Sequence, residues 1–87
     1  MHIEVESIIT AEQIRAARHA IKWTFEMLAE NSGVSVRTLK SVEMQAGVPN
    51  CRTATLEKIR NALESAGIEF IGGPEDRPGI RIGKPRQ

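Results

Sequence analysis

Hydrophobic and polar residues follow a helical spacing through most of this chain. Between residues 10 and 67, apolar side chains recur every three or four positions, which places them on one face of a helix. Breaks at Thr24, at Ser32–Ser35 and at the Gln45–Pro49 loop divide this region into four segments, and Gly67 follows the last one. The spacing therefore predicts four helices around one apolar core.

The start of the first helix carries two signals. Thr10 and Gln13 form a capping box, in which the hydroxyl accepts a hydrogen bond from the Gln13 amide and the Gln13 side chain reaches back. Ile9 and Ile14 stand at the positions of a hydrophobic staple across that cap. We therefore expect the first helix to begin directly after Thr10.

The later helices have shorter signals. Thr24 caps the second helix, and Ser35 caps the third, which runs from Val36 to about Met44. The fourth runs from about Cys51 or Arg52 to Ala66, and its expected cap is Asn50 or Thr53.

Both ends of the chain differ from the helical region. Residues 68–71 and 80–82 alternate around a loop rich in Gly and Pro, which predicts a C-terminal β-hairpin and tail over residues 68–87. Residues 1–9 are expected to form an arm or a short strand. An isolated hairpin is marginal in water, so this one should pack on its own helices, pair with the N-terminal arm or pair with a second subunit. The candidate dimerisation residues are Phe70, Ile71, Ile80 and Ile82.

Composition and charge restrict the class of protein. The 87 residues support one small domain, and their formal net charge is only +1. The charge is unevenly distributed, because residues 1–33 carry five acids and three bases, whereas residues 34–60 carry five bases and two acids. The excess of positive charge coincides with the third helix and the segment after it, as expected for a surface that faces phosphates.

Several other classes of function lack the residues they need. Cys51 is the only cysteine, which excludes an intramolecular disulfide and a zinc site built from clustered cysteines. His2 and His19 have no companions at metal-ligand or catalytic spacing, so we expect no enzyme activity, no metal and no cofactor. Neither a membrane-spanning run nor a secretion signal is visible, and a cytoplasmic location is expected.

The segment from Phe25 to Met44 predicts a helix-turn-helix. Gly33 stands at the sharp turn, where a positive φ is expected. This arrangement places the second of the two helices in a DNA major groove. Its outward residues are Val36, Arg37, Lys40 and Ser41.

The residues from Arg15 to Glu43 follow the pattern RxxRxxIxWTxxxLAxxxGVSxxTLxxxE. This pattern resembles the Xre/Cro-type DNA-binding domains of bacterial and phage repressors, over roughly residues 10–71. The resemblance implies a partly buried ion pair between Arg18 and Glu43. It also implies contacts with double-stranded DNA through Thr24, Ser35, Val36, Arg37, Thr38, Lys40, Ser41 and Arg52.

Three positions depart from the family pattern. Phe25 stands where the family usually has a glutamine that contacts phosphate and orients a base-contacting side chain. Lys22 and Gln45 stand where glycines often end the first helix and follow the recognition helix. We therefore expect the fold to be retained and the DNA contacts to differ from the usual scheme.

The predicted function is a sequence-specific transcriptional regulator, most simply a repressor, that binds as a homodimer to an operator with two half-sites. One alternative is an antitoxin that uses the same DNA-binding core and masks a toxin with its arm or hairpin. Another is a protein-interaction module that has lost DNA binding, which Phe25 and the small net charge favour.

Overall fold

The computed structural model describes residues 8–85, in which four helices precede a two-stranded antiparallel hairpin. The elements are α1 (Ala11–Ala20), α2 (Phe25–Ser32), α3 (Val36–Glu43), α4 (Thr53–Ser65), β1 (Ile68–Ile71) and β2 (Gly79–Ile82). The predicted fold, a mainly α helix-turn-helix domain with a C-terminal β-hairpin, is confirmed. The arm or strand predicted for residues 1–9 lies mostly outside the described residues.

All four helices and β1 contribute to one core. Burying an aliphatic side chain of this size contributes about 1.5–3 kcal/mol, so the core holds the helices together. The largest side chains fully excluded from solvent are Ile9, Ile14, Leu28, Leu39, Val42, Ile59, Leu63 and Ile68.

The start of α1 agrees with the sequence prediction. The Thr10 hydroxyl accepts from the Gln13 amide at 3.1 Å, and Gln13 Oε1 accepts from the Thr10 amide at 2.8 Å, so the capping box is complete. Ile9 and Ile14, the predicted staple residues, are both buried in the core.

The predicted caps of α2 and α3 are confirmed, and the predicted cap of α4 is wrong. Arg52 is the N-cap of α4 and makes no side-chain capping bond, whereas Thr53 is already the first helical residue. Asn50 lies two residues before the N-cap position, in the loop, where its backbone amide donates to Gln45 Oε1 at 2.7 Å. The α3 helix ends at Glu43, one residue before the predicted end.

The hairpin packs against its own helices. Phe70 pairs with Ile80 across the two strands, and both side chains pack on the core. Ile82 pairs with the buried Ile68 but is itself 64% exposed. The Gln13 side-chain amide donates to two hairpin backbone oxygens, of Ile71 at 3.1 Å and of Gly79 at 2.9 Å. Residue Gln13 thus joins the start of α1 to the hairpin.

Candidate nucleic-acid interface

The turn between α2 and α3 is defined by three local hydrogen bonds. Gly33 adopts the left-handed conformation, with φ of 79°, and its amide donates to the Ala29 carbonyl at 2.8 Å. An amino acid with a Cβ is strained at this φ, so the glycine fits the bend. The Ser32 hydroxyl then accepts from the Val34 amide, and the Ser35 hydroxyl accepts from the Thr38 amide, both at 3.1 Å. The α3 helix therefore begins in a fixed direction.

The core contacts of α3 decide which of its residues face outward. Leu39 and Val42 are buried in the core, which leaves the opposite side of the helix free. Arg37, Lys40 and Ser41 are exposed on that side. The three exposed residues are among the predicted base or phosphate contacts, and the structure brings them together on one face.

The other predicted DNA-contacting residues lie around this face. Val36 and Thr38 are half-buried at the start of α3, and Ser35 is exposed at its N-cap. Thr24 is exposed at the N-cap of α2, where its hydroxyl accepts from the Met27 amide at 3.1 Å. Arg52 is exposed at the N-cap of α4, after the loop that follows α3.

Arg18 and Glu43 form a bidentate ion pair that ties α1 to the end of α3. Arg18 Nε lies 2.6 Å from Glu43 Oε2, and Arg18 Nη2 lies 3.0 Å from Glu43 Oε1. The two residues are 8% and 5% exposed. Arg18 also donates to the Trp23 carbonyl at 2.9 Å, and His19 Nε2 lies 3.3 Å from Arg18 Nη2. A charge pair with its donors satisfied in this way holds α3 at a defined angle to α1.

Arg15 is a part of this junction that the sequence analysis did not identify. Its guanidinium donates from Nη1 to the backbone carbonyl of Glu43, at the end of α3. The position of Arg15, three residues before Arg18 on the same helix face, was a signal that the two arginines reach the same neighbour. Two arginines of α1 therefore hold the last turn of α3.

Phe25, the first residue of α2, contacts two cationic side chains. The Arg18 guanidinium carbon lies 4.0 Å from the centre of the Phe25 ring, and Lys40 Nζ lies 5.8 Å from it. Both distances are within the range of cation–π attraction. The ring covers the buried ion pair on one side and adjoins the exposed face of α3 through Lys40.

The loop after α3 is attached to the start of α1. The Gly47 amide donates to the Glu12 carboxylate at 3.1 Å and 3.3 Å, and the Gly47 carbonyl accepts from the Ala11 amide at 2.8 Å. The backbone amide of Glu12 itself, the Gly47 amide and the nearby Arg15 charge lower the pKa of the Glu12 carboxyl below its usual value.

Lys22 and Gln45 depart from the pattern that the chain resembles, and both are accommodated locally. Lys22 takes up a left-handed conformation, with φ of 58°. Gln45 uses its side chain to make the turn, because Nε2 donates to the Ser41 carbonyl at 3.3 Å and Oε1 accepts from the Asn50 amide.

Ion pairs leave the positive balance of residues 34–60 unchanged. Glu43 is neutralised by Arg18, and Arg60 is paired with Glu64 at 2.8 Å, whereas Glu57 on α4 is exposed. The exposed bases of this segment are Arg37, Lys40, Arg52 and Lys58, so its exposed charge remains positive.

Neither a metal cluster nor a membrane span is found in the part of the chain that the structure describes. Among residues 8–85, no three His, Cys, Asp or Glu side chains converge on a common point where an ion could bind. No helix within that range has the length and apolar content needed to cross a bilayer.

Comparison of the chain with protein-family models gave no match, and comparison with curated proteins likewise gave none.

Proposed function

We propose that this protein is a sequence-specific DNA-binding regulator of transcription whose α3 helix enters the major groove. The observation that carries this proposal is the outward face of α3, where Arg37, Lys40 and Ser41 are exposed on a helix held by the Ser35 cap at its start and by the buried Arg18–Glu43 pair at its end. A recognition helix needs this combination, because side chains can distinguish bases only if the backbone that carries them is fixed.

The residues of this face have different tasks in the proposed complex. The Arg37 guanidinium donates twice to O6 and N7 of a guanine, which is the commonest specific contact in the major groove. Val36 packs on a thymine methyl group, and Ser41 contacts a neighbouring base edge. Lys40, Arg52 and the N-terminus of α2 at Thr24 bind flanking phosphates.

A dimer on two half-sites completes the proposal. Two recognition helices on adjacent turns of the duplex would lie about 34 Å apart. The exposed Ile82 at the end of β2 is a starting point for contact between subunits, whereas Phe70 and Ile80 already pack on their own core. Occupancy of the operator would then block or recruit polymerase.

Selection of bound DNA from a random pool tests this proposal most directly. A regulator should enrich a sequence with two related half-sites, and native mass measurement should show two protein chains per duplex. Affinity should fall steeply with rising salt because Arg37, Lys40 and Arg52 displace counterions from phosphates. No enrichment, together with salt-independent binding, would refute DNA binding. A stable complex with a genetically neighbouring protein would instead support the antitoxin alternative.

A charge-matched pair of variants sharpens the test. Lys58 is exposed on α4 and lines a groove with Asn31 and Ser65, none of which is among the predicted DNA-contacting residues. Lys40→Ala should weaken binding to all duplexes and reduce the salt slope by about one, whereas Lys58→Ala should leave both unchanged. Equal effects of the two variants would mean that binding depends on overall charge and not on this face.

A further inference from the structure

The ring of Phe25 adjoins the outward face of α3, although Phe25 belongs to α2. The Lys40 ammonium on that face lies 5.8 Å from the ring centre. Phe25 is half-buried against the core and Lys40 is exposed, so the ring lies at the edge of the surface that carries Arg37 and Ser41. An aromatic side chain here is part of what an approaching duplex would meet.

The ring is held in place before any ligand binds. The Arg18 guanidinium stacks on it at 4.0 Å, and that guanidinium is itself held by Glu43 and by the Trp23 carbonyl. A side chain fixed in this way loses little conformational entropy on binding, so even a small contact contributes to affinity.

The chemistry of the ring restricts what it can recognise. A phenyl group neither donates nor accepts a conventional hydrogen bond, and it carries no charge to neutralise a phosphate. The edges of the bases in the major groove are polar except at one place, the C5 methyl group of thymine, which apolar side chains contact. The same methyl group is present in 5-methylcytosine.

We infer that Phe25 is a specificity-determining residue that recognises the C5 methyl group of a pyrimidine beside the bases contacted by α3. This inference rests on the proposed function of the α3 face. It assigns to Phe25 a contact of a different kind from the polar contact of the glutamine that it replaces.

The test removes single methyl groups from the selected binding site. Each thymine is replaced in turn by deoxyuridine, and the affinity of the wild-type chain is compared with that of Phe25→Gln and Phe25→Leu. At one position per half-site, replacing thymine by deoxyuridine should weaken the binding of the wild type and of Phe25→Leu about fourfold. This factor corresponds to the free energy gained by burying one methyl group. Phe25→Gln should bind the duplex with thymine at that position and the duplex with deoxyuridine there with equal affinity.

Val36→Ala serves as the matched control, because Val36 lies on α3 and would contact a different methyl group. It should abolish the deoxyuridine effect at another position and preserve the one assigned to Phe25. Thermal unfolding of each variant shows whether its fold is intact, since the ring also covers the Arg18–Glu43 pair.

Photocrosslinking tests the same contact without any variant. A duplex with 5-iodouracil at the assigned position should crosslink to the wild-type chain, and peptide mass spectrometry should locate the bond at Phe25.

Four results would overturn the inference and leave the proposed function standing. The first is a deoxyuridine effect that persists in folded Phe25→Gln, and the second is a crosslink that maps elsewhere. The third is a uniform loss of affinity on all duplexes with Phe25→Gln, which would indicate contact with deoxyribose. If the wild type binds no duplex at all, the proposed function fails together with this inference. The fourth result is that it binds duplexes without sensitivity to methyl groups, in which case only the inference fails.

Discussion

Substitution of Gln13 by glutamate separates what the local sequence predicts from what the structure predicts. Glutamate is the residue most typical of this position in a capping box, and a negative charge in the first turn of a helix is favourable. If only the residues of α1 and its cap are considered, Gln13→Glu should therefore leave the free energy of unfolding unchanged or raise it slightly. The structure predicts the opposite, because the Gln13 amide nitrogen donates to the carbonyls of Ile71 and Gly79.

The expected loss follows from these two contacts. Each hydrogen bond contributes a net of about 0.5–1.5 kcal/mol, and a buried acceptor left without a donor adds a further cost of about 1–3 kcal/mol. Gln13 is only 3% exposed, so the introduced carboxylate would face two carbonyl oxygens with little water present. We expect Gln13→Glu to lower the free energy of unfolding by about 2–4 kcal/mol at neutral pH.

The pH dependence gives this prediction a second readout. Burial and the two carbonyls should raise the pKa of the introduced carboxyl above the value of about 4.3 that it has in the unfolded chain. A protonated carboxyl can donate one hydrogen bond. The stability of Gln13→Glu relative to wild type should therefore be highest at pH values below the pKa of the unfolded chain. It should fall as pH rises through the folded pKa.

Urea unfolding followed by circular dichroism, at about pH 4 and about pH 7, measures this difference. Gln13→Met is the matched control, because it removes the same donor without adding a charge. Its difference from wild type should be the same at both pH values. If Gln13→Glu were as stable as wild type at neutral pH, the contacts between Gln13 and the hairpin would contribute nothing.

Three other predictions concern the junction between the helices and the α3 face. Arg18→Ala should lower the free energy of unfolding by about 3–5 kcal/mol because it leaves Glu43 buried without its partner, whereas Arg15→Ala should lower it by about 1 kcal/mol. Urea unfolding of both variants checks this, and equal small effects would show that the pair is not stabilising. Arg37→Ala should weaken binding to the selected site by about 1–3 kcal/mol and relax the preference at one or two base pairs, as measured by titration of a panel of duplexes. An equal loss on every duplex would make Arg37 a phosphate contact. The lowered pKa of Glu12 stabilises the fold above the unfolded pKa of that carboxyl, and this contribution is lost as pH falls through the lower folded pKa. Glu12→Gln should therefore reduce the acid dependence of the melting temperature, and an unchanged acid dependence would contradict the role of Gly47.

The caps show where local signals are sufficient and where they fail. Thr10, Thr24 and Ser35 were predicted from sequence because a capping side chain bonds an amide only three residues away. The same rule gave a wrong cap for α4. Asn50 was a good candidate by residue type, but the side chain of Gln45 holds its backbone in the loop. The residue type alone therefore does not determine where a helix begins, because the path of the preceding loop decides which residue stands at the N-cap.

The candidate site shows a similar division. The outward position of Arg37, Lys40 and Ser41 follows from the helical spacing of Leu39 and Val42, and it could be predicted without coordinates. The contact of Phe25 with Lys40 could not, because it joins two helices whose relative angle is set by the core. Which side chains of other helices contact α3 is therefore decided by tertiary packing.

The amino-acid sequence by itself determined the number of helices, most of their ends and the residues that α3 presents to solvent. These features depend on spacing and capping within one or two turns, and each segment carries its own signals. Only the tertiary structure decided that Gln13 bonds to Ile71 and Gly79, which lie 58 and 66 positions later in the chain. It likewise decided that Arg15 bonds to Glu43 at the end of α3, 28 positions later. The physical reason is that the Gln13 side chain uses its oxygen for the local capping bond and keeps both amide hydrogens free, and the partners of those donors are set by how the elements pack.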